Sequence, residues 1–210
     1  MIKNIIFDWS GVLSDDIVPV YKATMNVFRK LGIKALTLEE FRKEFTSPYM
    51  IFYKKFTNAT QEELKKLYIR EIHSVGEPKP FPRVKEILEF LHRKGMKLAI
   101  LTSIPETKLE KELDGYGFRK FFVDVSGGNH DKTEAIVKVM ERNGFAPEET
   151  AYVGDMTHDI DVGKKAGVTT IAVLGGYQTK EQLRREKPDF IIDKLGEIKL
   201  GEIKKIIFDE

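Results

Sequence analysis

Three short apolar runs of this sequence are followed closely by a polar residue that could take part in catalysis. Asp8, Thr102 and Asp155 hold such positions, and Lys132 stands at the head of a segment with helical periodicity. In an open parallel sheet, ligands bind beyond the carboxyl ends of the strands, where these side chains would converge. Asp159, four residues after Asp155, would add a further carboxylate there. The pattern therefore predicts one site with acidic, hydroxyl and ammonium groups.

These residue types favour phosphoryl chemistry supported by a hard metal ion. A carboxylate is a weak nucleophile, but it can attack phosphorus when the charge repulsion is relieved. Mg²⁺ held by oxygen ligands neutralises a phosphoryl group and keeps the attacking carboxylate ionised. A hydroxyl such as that of Thr102 can hold a phosphoryl oxygen, and an ammonium such as that of Lys132 can stabilise negative charge in the transition state.

The composition excludes several other kinds of chemistry and partner. The chain has 210 residues and no cysteine, which rules out disulfides, thiolate nucleophiles and cysteine-ligated zinc. The 35 basic and 33 acidic residues leave a net charge of +2, so no nucleic-acid partner is expected. No apolar stretch approaches the roughly 18 residues of a membrane span, and the first residues resemble a strand rather than a secretory signal. We expect a cytoplasmic protein that acts at no membrane, as a monomer or small homo-oligomer.

Apolar runs of strand length alternate with segments of helical periodicity. The runs are apolar at consecutive positions, which is typical of strands covered on both faces. They lie at residues 5–7, 98–101, 121–123, 151–153, 170–173 and 190–192. Helices are predicted before Gly95 and Gly144 and at residues 159–166 and 180–185. The alternation predicts an α/β fold with a doubly wound, Rossmann-like parallel sheet.

One region, residues 15–79, interrupts this alternation with helical segments alone. The segments are predicted at residues 18–31, 38–45, 49–56 and 61–75. Thr60 and Glu63 form the pattern of a capping box for the last of them. The region ends in a proline-rich stretch that is typical of a stiff connector. We therefore predict a core of residues 1–14 and 80–210 that carries a small inserted helical domain of residues 15–79.

The ordered series IIFDWSGV, LAILTS, a lone Lys132 and YVGDMTHD resembles the four motifs of the haloacid dehalogenase superfamily. The helical insert after the first motif resembles the mobile cap of the first, helical type in that superfamily. The resemblance implies a Mg²⁺-dependent hydrolase that acts on a small phosphorylated metabolite through an aspartyl-phosphate intermediate, as phosphoglycolate phosphatases do.

The same resemblance implies a role for each motif residue. Asp8 would be the nucleophile that forms the aspartyl intermediate. Thr102 would bind the phosphate through its hydroxyl, and Lys132 would stabilise its charge. The resemblance also implies that Asp8, the backbone carbonyl of Ser10 and Asp155 are Mg²⁺ ligands. Asp159 would be a further ligand or would act through another residue.

Ser10 departs from the phosphatase pattern of the superfamily. That pattern has a second aspartate two residues after the nucleophile, which acts first as an acid and then as a base. A serine hydroxyl has no pKa near neutrality, so it cannot protonate an alkoxide leaving group. The chain could be a slow phosphatase, or one for acyl or aryl phosphates, whose leaving groups need little protonation. A phosphate-binding scaffold with little turnover is the alternative outside the enzymes.

Two other branches of the superfamily also stay open. A hydrolase similar to phosphonoacetaldehyde hydrolase would need an insert lysine that forms a Schiff base, and Lys22, Lys54 and Lys55 are available. A 2-haloacid dehalogenase would attack carbon and need no Mg²⁺. The retained Gly154 and Asp155 favour phosphorus chemistry over that reaction.

Three further residues are candidates for substrate binding beside Thr102 and Lys132. Trp9 could stack over the substrate, or it could pack beneath the insert. Ser103 adjoins Thr102 at the end of the second strand. Ser47 lies between two predicted helices of the insert, where caps of this type present specificity residues.

Overall fold

The computed structural model describes residues 1–199, in which helices cover both faces of a parallel sheet. The strands, in chain order, are β1 (Asn4–Phe7), β2 (Ser14–Asp15), β3 (Lys79–Pro80), β4 (Lys97–Leu101), β5 (Phe122–Ser126), β6 (Thr150–Gly154), β7 (Thr169–Val173) and β8 (Phe190–Ile192). The helices are α1 (Ile17–Lys30), α2 (Leu38–Glu44), α3 (Tyr49–Lys54), α4 (Gln61–Ile72), α5 (Val84–Arg93), α6 (Glu106–Tyr116), α7 (Thr133–Asn143), α8 (Thr157–Lys165) and α9 (Lys180–Arg185). None of these helices, all within residues 1–199, has both the length and the apolar character needed to cross a membrane.

The main sheet has the strand order β5-β4-β1-β6-β7-β8, and all neighbouring strands in it are parallel. Ile5 and Phe7 of β1 belong to the apolar cluster on one face, whereas Ile6 belongs to the cluster on the other. Helices α5 and α6 contribute to the first cluster, and α7 and α8 contribute to the second. This two-sided burial explains the consecutive apolar residues, and the predicted doubly wound α/β fold is confirmed.

The chain between β2 and β3 folds into the helices α1–α4, which share an apolar cluster of their own. Phe28, Phe41 and Phe52 are fully buried in it, and Phe28 stacks on Phe52 with 5.8 Å between the ring centroids. Helix α4 begins at the predicted capping box, in which the Thr60 hydroxyl and the Glu63 carboxylate each accept from the other's backbone N–H. These four helices are called the helical insert below.

Two short strands connect the helical insert to the core. β2 and β3 pair in the antiparallel direction, with Ser14 opposite Pro80 and Asp15 opposite Lys79. The chain therefore enters and leaves the helical insert at one place. This place lies a few residues beyond Asp8, at the carboxyl edge of the main sheet.

The structure differs from the sequence prediction in a few elements. The apolar pattern does not predict α6, because its buried apolar residues are only Leu109 and Leu113 and Gly115 weakens the helical signal. The strand predicted at residues 121–123 begins one residue later, because Phe121 ends a short 3-10 turn. Helices α3 and α4 end before the predicted limits.

Candidate active site

Four of the predicted site residues meet at the carboxyl edge of the sheet. Asp8 follows β1, Asp155 follows β6, Lys132 directly precedes α7, and Asp159 lies in the first turn of α8. All four residues are buried. One carboxylate oxygen from each aspartate lies within 4.8 Å of the others. Chain segments that are far apart in sequence thus form one polar cluster, called the acidic cluster below.

Lys132 forms ion pairs with two of the three carboxylates at once. Its Nζ lies 2.8 Å from Asp8 Oδ2 and 2.7 Å from Asp159 Oδ1. Burial alone would lower the pKa of the Lys132 ammonium, but Asp159 and Asp8 outweigh burial and raise that pKa well above its usual value. The ammonium therefore stays charged and is fixed between its two partners.

The carboxylate of Asp8 is held at both oxygens. Its Oδ1 accepts a hydrogen bond of 2.6 Å from the backbone N–H of Trp9, and its Oδ2 faces Lys132. Burial raises the pKa of Asp8, the Lys132 charge opposes that rise, and the nearby Asp159 adds to it. An added positive charge would therefore favour the ionised form that a nucleophile needs.

Asp159 positions Lys132 and is itself fixed by protein donors. Its Oδ1 accepts from the Tyr152 hydroxyl at 2.9 Å, and its Oδ2 accepts from the backbone N–H of Met156 at 3.1 Å. Both oxygens are thus occupied without a metal ion. Of the two predicted roles for Asp159, these contacts favour the one in which it acts through another residue.

Asp155 is the carboxylate of the cluster that retains an unsatisfied oxygen. Its Oδ2 accepts from the backbone N–H of Tyr177 at 2.5 Å, whereas its Oδ1 is buried and has no hydrogen-bond partner. Desolvation, together with the charges of Asp159 and Asp8, raises the pKa of Asp155 well above its usual value. A buried oxygen in this state is unfavourable unless a cation or a proton satisfies it.

The charge of the acidic cluster suits a divalent cation. If all three carboxylates ionise, they and the one ammonium leave two net negative charges in a buried volume. Carboxylate and carbonyl oxygens are the ligands that Mg²⁺ prefers. The residues present therefore fit a Mg²⁺ ion bound by Asp8 and by the free oxygen of Asp155, with the carbonyl of Ser10 as the third predicted ligand.

Two glycines leave the space that Asp155 occupies. An added Cβ would lie 2.2 Å from Asp155 Oδ2 at Gly11 and 2.0 Å from it at Gly176. Both distances are shorter than any ordinary nonbonded contact. Gly11 also has a φ of +73°, in the left-handed region that glycine adopts without strain. Larger residues at either position would displace the carboxylate.

Thr102 is buried just beyond β4, the neighbour of β1 in the sheet. Because Phe7 pairs with Ile100, Asp8 lies one residue past this pair and Thr102 lies two residues past it. The Thr102 hydroxyl has only a long contact of 3.5 Å with the backbone N–H of Ile104. Among residues 1–199 the hydroxyl has no shorter hydrogen bond, so it is available for a phosphoryl oxygen, and this role stays a prediction.

Ser103 and Ser47 are the other residues predicted to bind the substrate. Among residues 1–199, no hydrogen bond joins either side chain to the acidic cluster. The Ser103 hydroxyl donates to the backbone carbonyl of Asn129 at 2.8 Å. Ser47 is half-buried between α2 and α3, as predicted. The segment that contains Ser47 reaches the core through Tyr49, whose ring lies 6.3 Å from that of His130, two residues before Lys132.

Trp9 is predicted either to stack over the substrate or to pack beneath the helical insert, but its side chain packs into the core instead. Its side chain is fully buried in the apolar core, and its ring stacks on that of Tyr116 with 5.6 Å between the centroids. The indole N–H donates to Glu112 at 2.6 Å. Trp9 therefore fixes the loop after β1, and its backbone N–H orients Asp8.

Asp16 contacts the side chain of Ser10, a role that no sequence pattern indicates. Asp16 is buried at the start of α1; its Oδ2 accepts from the Ser10 hydroxyl at 2.7 Å, and its Oδ1 accepts from the Tyr177 hydroxyl at 3.0 Å. Burial raises the pKa of Asp16 to about 6, although the hydrogen bond from Ser10 lowers it. A carboxyl group thus lies beside position 10, but its two oxygens already accept from the hydroxyls of Ser10 and Tyr177. Burial and these two bonds distinguish Asp16 from its exposed neighbour Asp15.

Comparisons with known proteins agree on one family. The family model described as haloacid dehalogenase-like hydrolase matches residues 5–173. A phosphoglycolate phosphatase of Vibrio parahaemolyticus is 28% identical over 217 residues, with 94% of each chain covered. Another, from Aquifex aeolicus, is 28% identical over 211 residues, with 93% of this chain and 94% of that protein covered. The structure of a haloacid dehalogenase-like family hydrolase from Streptococcus pneumoniae shares the fold with a TM-score of 0.82 at 22% identity, over 94% of this chain and 96% of that one.

Because Gly176 lies so close to Asp155, a methyl group added at Gly176 should affect both stability and Mg²⁺ binding. Gly176→Ala should lower the free energy of unfolding by about 1–3 kcal/mol, the usual cost of overpacking. It should also reduce the rise in Tm that Mg²⁺ produces, because Asp155 must move. Gly115→Ala is the matched control, since an added Cβ there meets nothing within 4 Å. A Gly176→Ala variant that Mg²⁺ stabilises as much as the natural protein would contradict the placement of the metal ligand.

The raised pKa of Asp16 predicts a pH dependence of stability. Its folded-state pKa of about 6 lies above the ordinary value of 3.8, so its protonation stabilises the fold below pH 4 and this contribution is lost as the pH rises through 6. From pH 8 to pH 4, the natural protein should therefore gain about 2–3 kcal/mol relative to Asp16→Asn, at about 1.36 kcal/mol per pKa unit. Urea unfolding of both proteins in a chelator measures the difference.

Asp131→Asn provides a control of opposite sign for this measurement. A backbone hydrogen bond from Thr133 lowers the pKa of the exposed Asp131. Its contribution is present above the ordinary pKa and is lost as the pH falls. Parallel pH profiles for the natural protein and Asp16→Asn would show that Asp16 titrates normally.

Proposed function

The chain belongs to the haloacid dehalogenase-like hydrolase family, and we propose that it hydrolyses a small phosphate ester through a covalent intermediate on Asp8. The observation that carries this proposal is the arrangement of Asp8, Lys132 and Asp155. It combines a fixed carboxylate, a fixed ammonium and a buried carboxylate oxygen without a partner. The relatives named phosphoglycolate phosphatase make a small phosphorylated carboxylic acid the first substrate to examine.

In the first step, a carboxylate oxygen of Asp8 would attack phosphorus, and the bond between phosphorus and the ester oxygen would break. Trp9 and Lys132 fix the carboxylate, so little reorientation is needed. Lys132 would remain beside the phosphoryl group, because Asp159 holds its ammonium from the other side. The Thr102 hydroxyl would bind a phosphoryl oxygen as the charge shifts.

The metal ion proposed for this step is Mg²⁺, held by Asp8, Asp155 and the carbonyl of Ser10. When bound, it would neutralise phosphoryl charge and lower the repulsion that the carboxylate meets. Tyr177 would keep Asp155 in place through its backbone N–H. In the second step, water would attack the phosphoryl group on Asp8, which releases phosphate and restores the carboxylate.

Ser10 bears on which leaving groups the enzyme can expel, because the residue at this position would protonate the leaving group in the phosphatase pattern. The Ser10 hydroxyl donates to Asp16 and is not a carboxylic acid, so protonation of an alkoxide is not its role. We propose that acyl and aryl phosphates react faster than alkyl phosphates for this reason. The helical insert would exclude bulk water while the substrate is bound.

The structure gives less support to the two other branches of the family. Every lysine of residues 15–79 is exposed, including Lys22, Lys54 and Lys55, whereas a Schiff-base lysine requires a desolvated amine of lowered pKa. A dehalogenase without a metal ion would leave Asp155 Oδ1 unsatisfied. Both observations favour a metal-assisted phosphatase.

A panel of two phosphate esters and one acyl phosphate, with and without Mg²⁺, tests the proposed reaction. Phosphoglycolate, acetyl phosphate and an aryl phosphate should be hydrolysed only with Mg²⁺. Asp8→Asn should lower kcat by a factor on the order of 10³ or more, because the nucleophile is lost. Asp161→Asn is the matched control, since Asp161 lies on α8 and pairs with Lys165 at the surface.

The outcomes separate an enzyme from a phosphate-binding scaffold. Background rates for every ester in the panel would contradict the proposed hydrolysis and favour the scaffold. Turnover that survives in Asp8→Asn would contradict the covalent intermediate. Equal rates for alkyl and aryl esters would contradict the role given to the leaving group.

A further inference from the structure

Tyr177 belongs to the loop between β7 and α9 of the core, but its side chain packs into the helical insert. Its ring lies 5.1 Å from that of Phe45 and 6.5 Å from that of Phe41. Only 4% of Tyr177 is exposed, and it is a member of the apolar cluster of the helical insert. The position of this core loop therefore depends on the position of the helical insert.

The polar groups of Tyr177 connect the helical insert to the acidic cluster. Its hydroxyl donates at 3.0 Å to Oδ1 of Asp16, the residue directly before α1. Its backbone N–H donates to Asp155 Oδ2 at 2.5 Å. The second oxygen of Asp16 accepts from the Ser10 hydroxyl at 2.7 Å. A continuous chain of hydrogen bonds thus runs from Asp155 through Tyr177 and Asp16 to the loop that carries Asp8.

The rest of the loop is held between the same two parts of the molecule. Arg42 of α2 donates from Nη2 to the carbonyl of Gly175 at 2.7 Å. Gln178 donates to the carbonyl of Phe45 at 3.2 Å and accepts from the backbone N–H of Thr157, at the start of α8, at 2.5 Å. Two of these contacts, from Arg42 and Phe45, therefore hold the outer side of the loop on the helical insert, whereas the contact with Thr157 holds the loop on the core.

We propose that Tyr177 is a positioning residue that couples closure of the helical insert to the orientation of the Asp155 carboxylate. The inference rests on the proposed function, in which Asp155 binds Mg²⁺. If the helical insert swings about β2 and β3, the bond between Tyr177 and Asp16 breaks and the loop loses its outer contacts. The N–H that orients Asp155 is then released, so the metal site is complete only when the helical insert is closed.

Tyr177→Phe removes the hydroxyl bond and keeps the ring packing, which makes it the direct test. We expect amide hydrogen exchange in residues 174–178 to become about tenfold faster, the loss that corresponds to one hydrogen bond to a charged group. Exchange in β1 should not change. The Kd for Mg²⁺, measured by calorimetry without substrate, should rise about tenfold for the same reason.

Tyr21→Phe is the matched control, because the Tyr21 hydroxyl donates to the carbonyl of Leu36 at 2.8 Å entirely within the helical insert. It should leave the Kd for Mg²⁺ and the exchange of residues 174–178 unchanged. If Tyr177→Phe matches Tyr21→Phe in both measurements, the coupling is disproved. If exchange in β1 accelerates equally, Tyr177 stabilises the fold in general, and the coupling is likewise disproved.

These measurements can refute the coupling without refuting the proposed function, and the reverse also holds. Neither hydrogen exchange nor Mg²⁺ calorimetry needs a substrate. A protein that hydrolyses none of the phosphate esters but loses Mg²⁺ affinity in Tyr177→Phe would retain the coupling and refute the phosphatase. An active phosphatase with an unaffected Tyr177→Phe variant would refute the coupling alone.

Discussion

Three buried carboxylates beside a single ammonium are the constraint on which the rest of this structure depends. Asp8 and Asp159 contact Lys132, whereas Asp155 has one oxygen with no partner. Such an excess of buried negative charge is unfavourable unless a cation compensates it. The site is therefore already arranged for a doubly charged ion and a ligand with negative oxygens. The same charges that would bind such an ion also weaken the fold without it, as the raised pKa of Asp155 indicates.

The fold holds these charges together with simple means. Parallel strands bring Asp8 and Asp155 to one edge, and α7 and α8 begin where they can add Lys132 and Asp159. Asp159 lies in the first turn of α8, where the helix dipole favours a negative charge. Glycines at the closest approaches leave room for the carboxylates. The helical insert packs against loops of this edge through Phe45 and Tyr49, and its connection through β2 and β3 lies a few residues beyond Asp8.

The sequence predicted the parts of the site that depend on strand order, and it failed where two distant surfaces pack together. The ends of apolar runs located Asp8, Asp155 and Thr102, because parallel topology brings strand ends to one edge. Trp9 follows the nucleophile in sequence, but its ring turns into the core, which no spacing rule specifies. Nothing in the sequence distinguishes Asp16 from any other acidic residue of a connecting segment. Its role follows from burial against Tyr177, 161 positions away.

The central claim is that the acidic cluster binds Mg²⁺ and a phosphoryl group on Asp8 in one pocket. A crystal structure with Mg²⁺ and beryllofluoride, a mimic of the phosphoryl group on aspartate, tests this claim most directly. We expect beryllium bonded to a carboxylate oxygen of Asp8, Mg²⁺ in contact with Asp155, and Lys132 beside the fluorides. Beryllofluoride away from Asp8, or Mg²⁺ bound without Asp155, would contradict it.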